Sequence, residues 1–208
     1  MTTKRRLAHD APAGVRAFLC AAVAAAALLA TSCGRASAPA GAGPERTAPA
    51  GVSAAIARHF EETVAPGYGG DWEYCIPVVR IVATDATDPA DIRAWGAFEV
   101  WNYRLDGGTL LCVSGGSHPG LAHLRETGGT LAVVSFEPVL DGADNLPSAK
   151  RIFGRHFAAW RELEADDAAR GEARRRSVAE YVAAHAIPAG SFQDYGWDPV
   201  PIPPAPGP

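Results

Sequence analysis

The chain predicts an α+β domain: an opening helix, an antiparallel meander sheet and additional C-terminal helices. Three observations lead there. An apolar stripe of helical period opens the folded part, a series of β-rich runs broken by glycine turns follows, and two more helical stripes close it. In the first stripe Val52, Ile56, Phe60 and Val64 recur every fourth residue. Ser53 is placed to cap this helix, and Pro66-Gly67 to stop it.

From Tyr74 the period changes to that of strands. Residues 75–84 are rich in Val and Ile, residues 92–105 in aromatics, and residues 109–114 follow Asp106-Gly107-Gly108. Asp106-Gly107 suits a two-residue hairpin turn, which needs positive φ. With Leu105 facing Gly108, Tyr103 would lie opposite Leu110, Trp101 opposite Cys112 and Glu99 opposite Ser114. Residues 121–126 and 130–136 form a second hairpin about Thr127-Gly128-Gly129, and residues 114–120 read as the bend between the two hairpins. After Pro147, Ser148 is expected to cap a helix carrying Ile152, Phe153, Phe157, Trp160 and Leu163. Gly171 breaks it before Val178, Tyr181, Val182 and His185. Helices gathered on one face of an antiparallel sheet would bury both amphipathic surfaces. Over residues 52–138 this arrangement resembles the cystatin-like or NTF2-like superfold, a cone whose concave sheet face is covered by helices, and the C-terminal helices depart from its minimal version.

Ahead of the domain stand a basic start (Lys4, Arg5, Arg6, Arg16), the apolar run 17–29, and Ala30-Thr31-Ser32-Cys33. As a helix the run covers about 20 Å, short of a hydrocarbon core of about 30 Å, so it reads as an export signal and not as a membrane span. The twin arginines lack the apolar pair that their own export route places after them. At Leu29-Ala30-Thr31-Ser32-Cys33 the chain resembles bacterial prolipoproteins, which implies diacylation of Cys33 as the first mature residue. It also implies a lipid anchor in the cell membrane on the extracytoplasmic side. Residues 1–32 are then the signal, 33–51 an Ala/Pro/Gly tether too poor in large apolar residues to fold, 52–200 a single globular domain and 201–208 a Pro-rich tail.

Removal of the signal takes away four of the 19 basic and one of the 23 acidic side chains, leaving a clearly acidic protein. That sign and the lack of a basic, aromatic-interleaved stripe argue against nucleic acid as a partner. The one basic cluster, Arg170, Arg174, Arg175 and Arg176, reads as a solvated, salt-bridged helix face behind Glu162, Glu164, Asp166 and Asp167. Outside the cytoplasm, Cys75 and Cys112 are expected to form a disulfide, the alternative being two separate buried thiols. No Cys or His spacing suggests zinc, and the acidic loops 85–91 and 141–145 miss the spacing of a calcium loop, so no metal or cofactor is expected.

Chemistry, if present, centres on the alternating face Trp95, Ala97, Glu99, Trp101 and Tyr103. A carboxylate desolvated in a cone interior would serve as a proton shuttle for dehydration or isomerisation, with His118 and His123 as partners and Tyr103 beside them. The favoured alternative pairs Glu99 with Arg80 or Arg125 across strands. Ser114-Gly-Gly-Ser-His-Pro-Gly120 lacks both the geometry of an anion nest and the third group of a nucleophilic triad, while His59, His156 and His185 read as flanking or packed side chains. Residues 113–120 and 194–199 are similar to segments of uncharacterised bacterial lipoproteins, a similarity that gives no activity to carry over. The expectation is a non-catalytic envelope lipoprotein. It would bind a small ligand, glycan or envelope protein through an aromatic cleft or through Phe192, Tyr195 and Trp197. A small hydro-lyase or isomerase is the alternative.

Overall fold

A computed structural model describes residues 51–204. The signal, Cys33, the tether up to residue 50 and the last four residues lie outside them. Helix α1 spans Val52–His59, continues as a π-helical turn Phe60–Val64 and ends in a 3-10 turn Ala65–Gly67. Its stripe is as expected, since Val52, Ile56 and Phe60 are buried and Val64 packs beside them. Ser53 does not cap it. Gly51, at φ +93°, holds the N-cap position without any side-chain bond, so the chain enters through a conformation that glycine adopts at little cost.

Strands β1 (Tyr74–Asp85), β2 (Ile92–Asp106), β3 (Thr109–Thr127) and β4 (Thr130–Pro138) form an antiparallel meander. Two short C-terminal strands, β5 (Ser191–Gln193) and β6 (Val200–Pro201), extend it, with β5 parallel to β3, which makes the sheet mixed. β3 is central. One edge pairs with β2 from Thr109 to Leu124, while the other is shared between β5 at residues 109–111 and β4 at residues 120–127.

Three local expectations change. The first turn is Gly107-Gly108, both at positive φ, so Leu105 pairs with Leu110, and a bulge at Asn102/Tyr103 shifts the register further. Tyr103 therefore faces Cys112, Trp101 faces Gly115 and Glu99 faces Ser117. Residues 114–120 are continuous strand, not a bend. Pro119 is tolerated because it lies in the stretch of β3 whose second edge neither β5 nor β4 occupies. The helices also divide differently. α2 is Asn145–Phe153, α3 Phe157–Ala165 and α4 Asp167–Ala184. Ser148 lies inside α2, its hydroxyl donating to Asp144 O and accepting from Leu140 N–H. α4 runs through Gly171, and the breaks fall at Gly154, at φ +47°, and at Asp166, whose carboxylate caps α4 by accepting from Ala169 N–H.

Helices cover both faces of the sheet. Cross-strand partners point to the same side, so the even residues of β2 (Ile92, Ala94, Phe98, Val100) meet α1. The odd residues meet the later helices: Trp95 packs with Ile152, Phe153 and Trp160, and Tyr103 with Ile76, Val178 and Phe192. β2 is apolar on both faces along most of its length, and one layer of helices could bury only half of it. The class is α+β with a curved mixed sheet, and the helices are not confined to one side. Among the described residues, no helix is long and apolar enough to cross a membrane.

Candidate functional site

The four cavity candidates do not converge. Glu99 is 3% exposed, and both carboxylate oxygens are occupied: Oε1 accepts from Arg80 Nη2 at 3.2 Å and Oε2 from Trp101 Nε1 at 2.9 Å. Arg80 donates further to Glu164 Oε1 at 3.0 Å and Leu163 O at 2.9 Å, tying β1 and β2 to the end of α3. This is the cross-strand pairing weighed against catalysis, with Arg80 as the partner.

His118 stands opposite Phe98, on the other face of the sheet. Its Nε2 lies 2.8 Å from the Tyr68 hydroxyl and its ring packs against Phe60, and burial holds its pKa below the usual imidazole value. His123 shares the face of Glu99 but pairs with Arg93, six positions along β2, which is about 20 Å away at the strand rise. There it binds Asp91 at 2.7 Å. Tyr103 has no exposed surface, and burial raises its pKa while its oxygen accepts from Arg174. A carboxylate and histidines thus separated offer no acid–base pair for one substrate. Among the described residues, no three His, Cys, Asp or Glu side chains gather to hold a metal ion.

The expected disulfide is absent, and the fold gives the reason. Cys75 pairs with Asn102 and belongs to the α1 side, whereas Cys112 pairs with Tyr103 and packs on the α4 side. A whole strand separates them and their side chains leave opposite faces, which no S–S geometry spans. Both thiols are free, and burial pushes Cys75 up to about 12 and Cys112 up to about 11.

What the structure does assemble is a clamp around Arg174. This arginine is 9% exposed, and its Cζ stands over Trp101, 3.6 Å from the ring centroid. Its Nε donates to Tyr103 Oη at 2.9 Å, and its two Nη groups to the two oxygens of Asp194 at 2.7 and 2.6 Å. Burial opposes the charge, but Asp194 and the Tyr103 oxygen outweigh it, so the guanidinium is held protonated. The same fork holds the Asp194 carboxyl below the usual carboxylate range.

Asp194 begins a turn fixed at its base. β5 seats Phe192 in the core, edge-on to Tyr103, and Ser191 Oγ meets Thr109 Oγ1 at 2.8 Å. The turn closes through Trp197 N–H to Asp194 O at 3.1 Å and Gln193 Nε2 to Trp197 O at 2.6 Å, with Gly196 at φ +80° between. Chain return through β6 completes it. At its tip Tyr195 is 99% and Trp197 75% exposed.

Reading the sequence missed Arg174 as a functional group. Its cluster mates do behave as a solvated face, since Arg170 pairs with Asp167 and Arg175 with Glu172 at three-residue spacing. Arg174 differs because it stands one turn before Val178 and two before Tyr181, on the apolar stripe of α4, and that spacing was visible in the sequence. No protein family, curated protein or solved structure matches the chain.

Proposed function

We propose that the protein is a lipid-anchored extracytoplasmic binding module that engages a glycan or envelope protein through Tyr195 and Trp197. One observation carries this reading: two large aromatics stand 99% and 75% exposed on a turn anchored by buried Phe192 and by the two hydrogen bonds from Arg174 to Asp194. Aromatics left outside contribute little to folding, and a fixed turn removes much of the ordering cost that binding imposes. The neighbouring exposed Asp198 offers a polar group at the rim. The signal-like N-terminus and Cys33 support export and acylation, which would hold this turn at the envelope surface. We read the frame as a cystatin-like or NTF2-like cone, with Phe60, Phe98 and Phe136 packed against one another between α1 and the sheet.

Two measurements test the reading. Cells fed an alkyne-tagged fatty acid should label the wild type and leave Cys33→Ser unlabelled. Purified protein should be retained on peptidoglycan sacculi or on solubilised envelope protein, with retention lost in Tyr195→Ala/Trp197→Ala. Equal retention of wild type and variant on every fraction would remove the aromatic turn as the binding site.

A further inference from the structure

α4 and the C-terminal strands are joined by a turn that the local sequence opposes. His185 ends the helix, Ala186 stands at φ +51°, and Ile187 N–H returns to Val182 O at 3.0 Å. This is the left-handed helix stop that glycine usually fills. Ala186 is the one non-glycine residue at positive φ among the described residues, and its Cβ makes that conformation costly. Residues 181–187 hold neither Gly nor Pro, so their own preference is to continue the helix up to Pro188. If α4 ran on through Ala186, the N–H groups of Ala186 and Ile187 would bond Val182 O and Ala183 O, where they now bond Ala183 O and Val182 O. Straightening the turn thus loses no backbone hydrogen bond and relieves Ala186.

Beyond the turn lies a self-contained strap. β6 pairs with β5, Ile202 N–H donates to Gly190 O at 3.0 Å, and Gln193 closes on Trp197 O, all within residues 190–202. Its seat on the body is specific. Ile187 and Phe192 enter the Tyr103, Leu110 and Val178 cluster, β5 lies beside Thr109, Leu110 and Leu111, and Asp194 takes the fork of Arg174. Such a seat fits the strap's own sequence, whichever copy supplies it.

We propose that the strap from Ile187 onward exchanges between two copies of this chain, each taking the other's Phe192 and Asp194 while α4 runs straight through Ala186. The partner is a second copy because every exchanged contact is one the seat already makes, and only the hinge changes. Within one chain the strap is held near its own seat at high effective concentration, so the exchanged dimer forms as protein concentration rises. Relief of Ala186 in both copies favours it. The Tyr195/Trp197 turn travels with the strap but neither aromatic is needed for the exchange, so this inference stands apart from the binding ascribed to that turn.

Full chains carrying Thr109→Cys and Ser191→Cys, whose native hydroxyls lie 2.8 Å apart, are grown with light or with heavy nitrogen, mixed, unfolded and refolded together over a range of concentrations. Oxidation then records which strap sits in which seat. The dimer separated by size exclusion should yield cross-linked peptides joining positions 109 and 191 with one light and one heavy half, and the monomer only peptides of one isotope. Ala186→Gly removes the left-handed cost in both copies and should lower the dimerisation constant by roughly tenfold, whereas Ala186→Val adds to that cost and should raise it. The dimer should persist in Tyr195→Ala/Trp197→Ala. No dimer at any concentration, a dimer whose cross-links are all of one isotope, hinge variants that leave its constant unchanged, or its loss in the aromatic variant would overturn the proposal.

Discussion

At the scale of single residues, the molecule uses two buried arginines to join segments far apart in sequence. Arg80 reaches Glu164 across 84 residues, and Arg174 joins α4 to β2 and to the C-terminal turn. Arg174→Ala would strand Asp194 and remove the guanidinium from Trp101, so we expect a loss of about 3 kcal/mol in denaturant unfolding. Arg174→Lys should recover little, because an ammonium cannot fork to both Asp194 oxygens while bonding Tyr103. In either variant chymotrypsin should cut sooner at Tyr195 and Trp197. Glu99→Gln leaves Arg80 with Glu164 and Leu163 O. It should cost roughly 2 kcal/mol in stability and nothing in the binding ascribed to the aromatic turn.

The Asp194 carboxyl lies below its unfolded value because Arg174 bonds the ionised form. Its contribution is therefore complete above the ordinary carboxyl pKa of about 4, and declines as pH falls from there through the depressed folded value. Asp194→Asn should flatten that part of the pH–stability curve measured by urea titration. The three histidines lowered by burial, His59, His118 and His156, act higher. Each stays neutral in the fold while the unfolded chain takes up a proton, so stability should fall as pH drops from about 6.5 toward their folded values.

At the scale of elements, the long strand β3 shows how a sequence that reads as a loop becomes a strand. Its Ser-Gly-Gly-Ser-His-Pro-Gly run carries turn residues, yet neighbouring side chains use the space those residues leave. Tyr68 sets its hydroxyl where a side chain at Gly116 would begin, and from there reaches His118 at 2.8 Å. Gly116→Ala should displace Tyr68 and cost about 1–3 kcal/mol. In a Tyr68→Phe background, where that hydroxyl is gone, the same substitution should cost less, and a double-mutant cycle would measure the difference. The hairpin about Gly107 and Gly108 shifted for a related reason. Three successive residues there tolerate positive φ, and pairing further along the strands chose which two adopt it.

At the scale of the whole molecule, wrapping helices around both faces of β2 decides what can meet. It sends Cys75 and Cys112 to opposite sides, so denatured, unreduced protein should be alkylated at both thiols, while the folded protein reacts slowly because Cys75 is buried, Cys112 is half-buried and both pKa values are raised. Finding one bridge between them by mass spectrometry would contradict this fold.

Local pattern alone determined the α+β class, the Val52–Ile56–Phe60 stripe, the four meander strands outside residues 114–120 and the places of the two glycine hairpins, but not the register of the first. Those depend on interactions between near neighbours, which the order of residues records directly. Whether Glu99 faced a cavity or an arginine, which arginine of the basic cluster turned inward, and whether the two cysteines could touch were decided only by tertiary structure. Each depends on which face of which strand a distant segment covers, and a single shift in register reverses that face without leaving a mark in the local sequence.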